Sequence, residues 1–246
     1  MIHCVLLFGD PEQLPPTVLS QRAQNANFRQ SLIERLYIVF KSTDIIHMLK
    51  IQYRMAESIC RFPSTYIYNG QLLTDKSIQE DRASFHLKPY GFINVVSSQD
   101  ELNVISQSYF NRAEAKCIVE FIQYLTERAS IQLSSIGIIT TYRAQLTLIS
   151  NQIRTVDGFQ GREKDIILIS TVRANNGKSR QRSIGFVADR RRLNVAVTRG
   201  KYAVYIIRHA KSLNINMDWR SLIEDACRRE CMFNYHKYQD FKWLHR

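Results

Sequence analysis

Short apolar runs recur along this chain, each followed by a stretch with helical spacing, and that alternation is the tightest constraint on its fold. Val5–Phe8, Phe92–Val96, Ile136–Thr140, Ile166–Thr171 and Tyr202–Ile207 are short, apolar and bounded by turn residues, so they read as strands. Helical spacing appears in Phe28–Phe40 through Leu32, Ile33 and Leu36. It appears again from the N-cap candidate Asn111 to about Glu127, in Arg143–Arg154, near Asp189–Thr198 and near Asp218–Cys231. Strands alternating with helices predict an α/β fold, a parallel sheet with helices on both faces. Asp75–Leu87, Ser97–Gln107 and Asn175–Ser183 are polar, lack a clear period and read as loops.

A length of 246 residues fits one large or two small domains, and 45% apolar content is ample for a core. The Met1–Phe8 run is too short for a membrane span and has no basic leader, so neither an anchor nor a signal peptide is expected. Five scattered cysteines suit reduced thiols better than a disulfide framework. Cys227, Cys231 and His236 match no standard zinc spacing, and the two cysteines read instead as an i,i+4 pair on a helix face. The net charge of +12 is uneven: residues 1–48 are neutral, 49–154 carry +2 and 155–246 carry +10. Such a basic last third, with Arg180/Arg182 and Arg190-Arg191-Arg192, suits a polyanion.

Five motifs carry chemistry. In Gly9-Asp10-Pro11-Glu12-Gln13-Leu14-Pro15-Pro16 a glycine permits a sharp turn after an apolar run and prolines stiffen the exit, holding Gln13 at a sheet edge. Gln52-Tyr53-Arg54 offers an aromatic face and a planar, permanently charged fork, ahead of a helix through Phe62-Pro63-Ser64 to Tyr68. Thr140-Thr141-Tyr142-Arg143-Ala144-Gln145 puts hydroxyls and a ring at a strand end, which suits single-strand phosphate and sugar contacts. In Thr155–Asp165 the glycines Gly158 and Gly161 allow close backbone approach, and Glu163 can accept from a ribose hydroxyl. Arg192–Gly200 is amphipathic, with Arg192 and Arg199 two helical turns apart.

In order and spacing these motifs resemble the C-terminal part of a superfamily 1 RNA/DNA helicase motor of the senataxin-like, nonsense-mediated-decay-helicase-like branch, over almost the whole chain. The resemblance implies a RecA-like P-loop NTPase helicase fold, with residues 1–48 the C-terminal remnant of a first RecA-like domain and 49–246 a nearly complete second one. It implies ATP and Mg²⁺ between the two domains, with Gln13, Arg54 and Arg199 on the γ-phosphate and Arg54 and Arg199 as arginine fingers. Asp10, Tyr53, Gly161 and Glu163 would serve the nucleotide. Pro16, Thr141, Tyr142, Thr155, Arg173 and Asn194 would lie toward the nucleic acid, and no residue is assigned to a metal. The implied partners are single-stranded RNA or DNA and the N-terminal RecA-like half, in cis or in trans. No membrane association is expected, and the location is nuclear or cytoplasmic, with the nucleus favoured.

The sequence also departs from the complete pattern. Gly177-Lys178-Ser179 is not a phosphate loop, because Val172 stands where its first glycine belongs, and no Asp-Glu pair follows an apolar strand. Relatives commonly have alanine at Gly200, and they place further residues, including a strand, between the helix ending at Arg154 and Thr155. The expectations are therefore a fragment, a reduced gene or an incomplete gene model with an internal deletion. A catalytically inactive helicase-like fragment that only binds nucleic acid or a partner is the alternative.

Overall fold

The computed structural model describes residues 5–153, 163–174, 189–236 and 238–245, apart from the side chains of Lys211 and residues 238–240. Its centre is a five-stranded, wholly parallel sheet of β3 (Tyr90–Val95), β6 (Ile136–Thr140), β7 (Lys164–Ser170), β8 (Gly200–Arg208) and β9 (Met232–Tyr235), in the order β6-β7-β8-β3-β9. In each central strand alternate side chains feed opposite faces. Ile166 and Leu168 of β7 and Ala203, Tyr205 and Ile207 of β8 point to one core, which is closed by α5 (Arg112–Glu127) and α6 (Arg143–Ser150). Ile167 and Ile169, with Val204 and Ile206, point to the other, closed by α3 (Glu57–Tyr66), α7 (Arg190–Val197), the short α8 (Ala210–Leu213) and α9 (Met217–Arg228). A strand buried on both faces must be apolar at every position, and this is why β7 and β8 read as unbroken runs.

Side-chain caps start the helices where the sequence offers an acceptor. Asn111 Oδ1 accepts from the Glu114 amide at 3.0 Å, Asp189 Oδ1 from Arg191 at 2.9 Å and Asn216 Oδ1 from Trp219 at 3.1 Å. On β3, a Cβ at Gly91 would stand 2.9 Å from the Trp243 ring, and that ring stacks on Phe233 with centroids 3.4 Å apart. Gly200 opens β8 in equally tight quarters, 2.6 Å from the Ala203 carbonyl for any added Cβ, which gives a steric reason for glycine at this position.

Several sequence expectations are corrected. Val5–Phe8 is not a strand: no ladder bonds hold it, and Val5, Leu6 and Phe8 are 67%, 76% and 87% exposed. An apolar run becomes a strand only where neighbours supply partners and cover, and the described sheet supplies neither here. Phe28–Phe40 is helical only from Leu32, where the Ser31 hydroxyl caps α2 (Leu32–Phe40), and α1 (Gln21–Asn25) precedes it. The Asp75–Leu87 loop contains α4 (Lys76–Ala83), capped by Asp75. Within Ser97–Gln107 lies β4 (Glu101–Asn103), which forms an antiparallel hairpin with β5 (Ser108–Phe110). Cys227 sits in the last turn of α9 and Cys231 beyond it, so the two do not share a helix face. Arg199 likewise follows the end of α7 instead of extending its face.

Residues 5–54 contain no buried side chain. Phe28, Leu32, Ile38, Val39 and Leu49 are more than half exposed, so this segment lies on the sheet domain without a core of its own.

Candidate nucleotide and nucleic-acid site

Arg54 and Arg199 arrive at one place from distant parts of the chain. Gln52, in the short strand β1 (Ile51–Gln52), bends the backbone behind Arg54: its Oε1 accepts from the amides of Arg54 at 2.8 Å and Met55 at 2.7 Å. Its Nε2 donates to Thr74 Oγ1 at 2.7 Å, in the paired strand β2 (Leu73–Thr74). The Arg54 guanidinium then donates to Glu163 Oε2 at 2.5 Å and to the Thr198 carbonyl at 3.3 Å. Lys201 meets the other Glu163 oxygen at 3.1 Å. The hydrogen bond from Lys201, then that from Arg54, hold the Glu163 carboxyl below the ordinary range, while burial opposes them. Partial burial, then repulsion from Arg54, pulls the basicity of Arg199 down, and Glu163 raises it. Arg54 and Lys201 thus hold one carboxylate, with Arg199 near enough to feel the charges of Arg54 and Glu163, and Arg54, Glu163 and Lys201 all keep about a third or more of their side-chain surface open to solvent. A multiply charged anion would relieve the repulsion between the guanidiniums.

This cluster stands where β7 and β8 begin, at the N-terminal edge of the sheet. The usual rule for open α/β sheets looks to the C-terminal edge. Gln52 and Lys201 carry much of the geometry, yet their roles depend on contacts between segments that no local pattern displays. Tyr53, beside them, is 64% exposed, an open aromatic face.

Gln13 belongs to a second group. Its amide donates to Asp10 Oδ2 at 3.0 Å, and the same oxygen accepts from the Tyr68 hydroxyl at 2.6 Å. Asn194, in the middle of α7 and 1% exposed, donates to the Tyr68 oxygen at 2.8 Å and to the Glu12 carbonyl at 2.9 Å. Arg191 pairs with Glu34 of α2 at 2.6 Å and Arg190 approaches Glu12 at 3.7 Å. Burial, then the bond to Asp10, push the Tyr68 phenol well above its ordinary range. The loop bearing Gln13 is therefore fastened to α7, and Asn194 is a fastener whose amide is directed inward, not an open contact for a strand.

Of the candidates for nucleic acid, Thr141, Tyr142 and Arg173 lie at the opposite, C-terminal edge, just beyond β6 and β7. Pro16 and Thr141 are exposed; Tyr142 is half-buried, its ring edge-on to Tyr109 at 5.9 Å. Arg173 is 4% exposed, 3.4 Å from Asp100 and 4.1 Å above the Tyr109 ring, so its charge is spent inside the protein. Thr155 and Gly161 fall outside the described residues, as does Gly177-Lys178-Ser179.

Beneath this edge runs a buried polar network. Gln145 Oε1 accepts from the Asn111 amide at 2.8 Å, its Nε2 donates to Ser170 Oγ at 3.1 Å, and Ser170 donates to Glu114 Oε2 at 2.8 Å. The same Glu114 oxygen accepts from the amide of Val172, a β-branched residue held at φ +67°. Glu114 is fully buried, and burial pushes its carboxyl up to about 7, against the hydrogen bonds and the buried Arg208 that favour its charge. Ser170 to Arg173 are placed by this network.

A five-stranded parallel sheet covered on both faces by helices is the α/β architecture of a RecA-like domain. The family model described as "AAA domain" matches residues 28–211. The chain is 39% identical over 252 aligned positions to "Helicase SEN1" of Saccharomyces cerevisiae, covering 94% of this chain and 11% of that protein. It is 38% identical to "Probable helicase senataxin" of Homo sapiens (92% and 9%) and 34% identical to "Regulator of nonsense transcripts 1" of Caenorhabditis elegans (94% and 23%). The chain belongs to the senataxin-like superfamily 1 helicase family. It spans between about a tenth and a quarter of the length of these relatives. Since 252 aligned positions exceed the 246 residues of the chain, the yeast relative carries residues within the matched span that this chain does not.

Proposed function

We propose that this chain is the C-terminal motor portion of an ATP-dependent RNA/DNA helicase, with residues 1–48 the tail of a first RecA-like domain and 49–246 the second. The observation that carries the reading is the convergence of Arg54 and Arg199 beside Glu163 and Lys201. A planar guanidinium pair with excess positive charge fits the oxygens of a γ-phosphoryl group, whose charge grows during transfer. ATP, when bound with its metal ion, supplies that group. Among the described residues no cluster of three His, Cys, Asp or Glu side chains is placed to hold a metal, and the cation cluster is chemistry for phosphate.

Arg54 and Arg199 then act as arginine fingers. Glu163 holds Arg54 and Lys201 in position, in addition to any contact with ribose, and Tyr53 offers a stacking face for the base. Gln13 senses the phosphate from a loop fastened through Asp10, Tyr68 and Asn194, so closure of the nucleotide cleft would be felt along α7. A single strand of RNA or DNA would run past Thr141, Tyr142 and Thr155 over the basic last third, with phosphate contacts supplying most of the affinity. Arg173 and Asn194 serve this path as positioning residues behind the surface. The exposed apolar side chains of residues 5–49 are the surface that the first RecA-like domain would cover, in cis or in trans. Among the described residues no helix is long and apolar enough to cross a membrane, and a nuclear or cytoplasmic location, with the nucleus favoured, rests on the senataxin-like resemblance alone.

Fusing the first RecA-like domain of the yeast relative ahead of this chain tests the proposal. Phosphate release from ATP stimulated by single-stranded RNA or DNA is the expected result. A folded fusion that binds ATP and nucleic acid yet shows no stimulated release would leave only the inactive, binding fragment.

A further inference from the structure

A cleft of about 900 Å³ opens between α3 and α9 at the N-terminal edge of β3. Neither the arginine pair with its Glu163 and Lys201 nor the Gln13 loop lines it, and it lies at the opposite sheet edge from Thr141 and Tyr142. Its floor is aromatic: Phe62 and Tyr66 stack at 5.2 Å, and Tyr90 opens β3 beside them. Tyr90 is 1% exposed and its hydroxyl has no hydrogen-bond partner among the described residues. The charged groups that bear on that hydroxyl, Asp225 and Arg229, both line the cleft. A buried donor left without an acceptor is costly, so this phenol is matched to an acceptor that the described residues do not supply.

The charges around it select the acceptor. Arg229 lies over the Tyr90 ring at 4.5 Å and is committed to Asp225 at 3.0 Å and the Ser58 carbonyl at 2.6 Å. On the rim remain Arg61, Lys88 and Arg228, against Glu224. Arg61 is exposed, and Arg228, 75% exposed, reaches Asp225 only at 4.0 Å. An aromatic floor, one orphan hydroxyl and a cationic rim complement an extended segment that alternates apolar and carboxylate side chains. We propose that this cleft docks an acidic peptide segment of a protein partner, with one carboxylate accepting from Tyr90 and others meeting Arg61, Lys88 and Arg228. A continuous polyanion such as a nucleic-acid strand suits it less, because Glu224 and Asp225 form part of the wall.

The test uses the 246-residue chain and a fluorescein-labelled decapeptide of alternating glutamate and leucine, with a lysine–leucine decapeptide and a single-stranded RNA as comparisons. Anisotropy should detect the glutamate peptide and not the lysine peptide. The double variant Arg61→Glu/Arg228→Glu, changed only at exposed positions, should lose the glutamate peptide and keep the RNA. Tyr90→Phe should weaken peptide binding by about tenfold or more, the scale of a hydrogen bond to a charged group, without lowering the melting temperature, since the hydroxyl it removes has no partner. No glutamate-peptide binding, or binding indifferent to the double variant, overturns the proposal. Loss of RNA binding in the double variant overturns it in favour of a nucleic-acid surface.

Discussion

Glu114→Gln should change how stability depends on pH more than it changes stability itself. Glu114 is fully buried, accepts from Ser170 Oγ and the Val172 amide through one oxygen, and among the described residues leaves the other without a partner. Burial lifts its carboxyl from 4.5 to about 7. Between those values the native state holds a proton that the unfolded chain has released, so stability falls as pH rises through the window. The stabilising contribution of the raised group is complete below 4.5 and lost once pH passes about 7. A shift of this size corresponds to about 3 kcal/mol at most, using 1.36 kcal/mol per pH unit. Glutamine keeps an acceptor for both donors and cannot ionise. Urea unfolding of both proteins at pH 5, 6, 7 and 8 should therefore show the variant gaining on the wild type by up to about 3 kcal/mol between pH 5 and pH 8. Parallel profiles would refute the reasoning, and would mean that Arg208 and the two donors compensate the charge in full.

Binding to single-stranded RNA or DNA should weaken steeply with salt, since residues 155–246 carry +10. A protein meeting three to five phosphates gives a log–log slope of about −2 to −4, and a flat response in anisotropy titrations would remove the basic face from the account. Asn194→Ala should cost about 1 kcal/mol, because it removes the donor to the Glu12 carbonyl and the Tyr68 oxygen in a partly buried seam. Limited proteolysis should then cut within residues 5–30 sooner than in the wild type, and unchanged cleavage would mean the seam does not hold that segment.

The sheet was legible in the sequence because its strands are buried on both faces and so cannot hide among polar residues. β6, β7 and β8 stand close to where their apolar runs put them, and α5 begins at the Asn111 cap. Val5–Phe8 misled for the complementary reason: the same apolar signal needs partners, which a run of four residues cannot announce. β9 was missed because Met232–Tyr235 is a half-buried edge strand with weak apolar character, and α4 because it is short and polar. At the candidate site the motif strings gave Gln52, Arg54, Glu163 and Arg199, while the hold of Gln52 on Thr74 and the pairing of Lys201 with Glu163 join segments far apart in the chain and emerge only from the fold. Arg173 and Asn194 have side chains suited to a phosphate or a base, and no motif string displays that the fold buries them, Arg173 beside Asp100 and Asn194 against the Glu12 carbonyl.

The role proposed for Arg54 and Arg199 is to stabilise charge as it develops on the γ-phosphoryl group. In the fusion carrying a first RecA-like domain, kcat for ATP and the nucleotide Kd should be measured on the same preparations of wild type, Arg54→Ala, Arg199→Ala and Arg54→Lys. Each alanine variant should lose about 10³-fold or more in kcat with a much smaller change in Kd, and lysine should not rescue Arg54, because a point charge does not reproduce the planar fork. Near-normal kcat in either alanine variant, or a loss accounted for wholly by weaker nucleotide binding, would contradict the account.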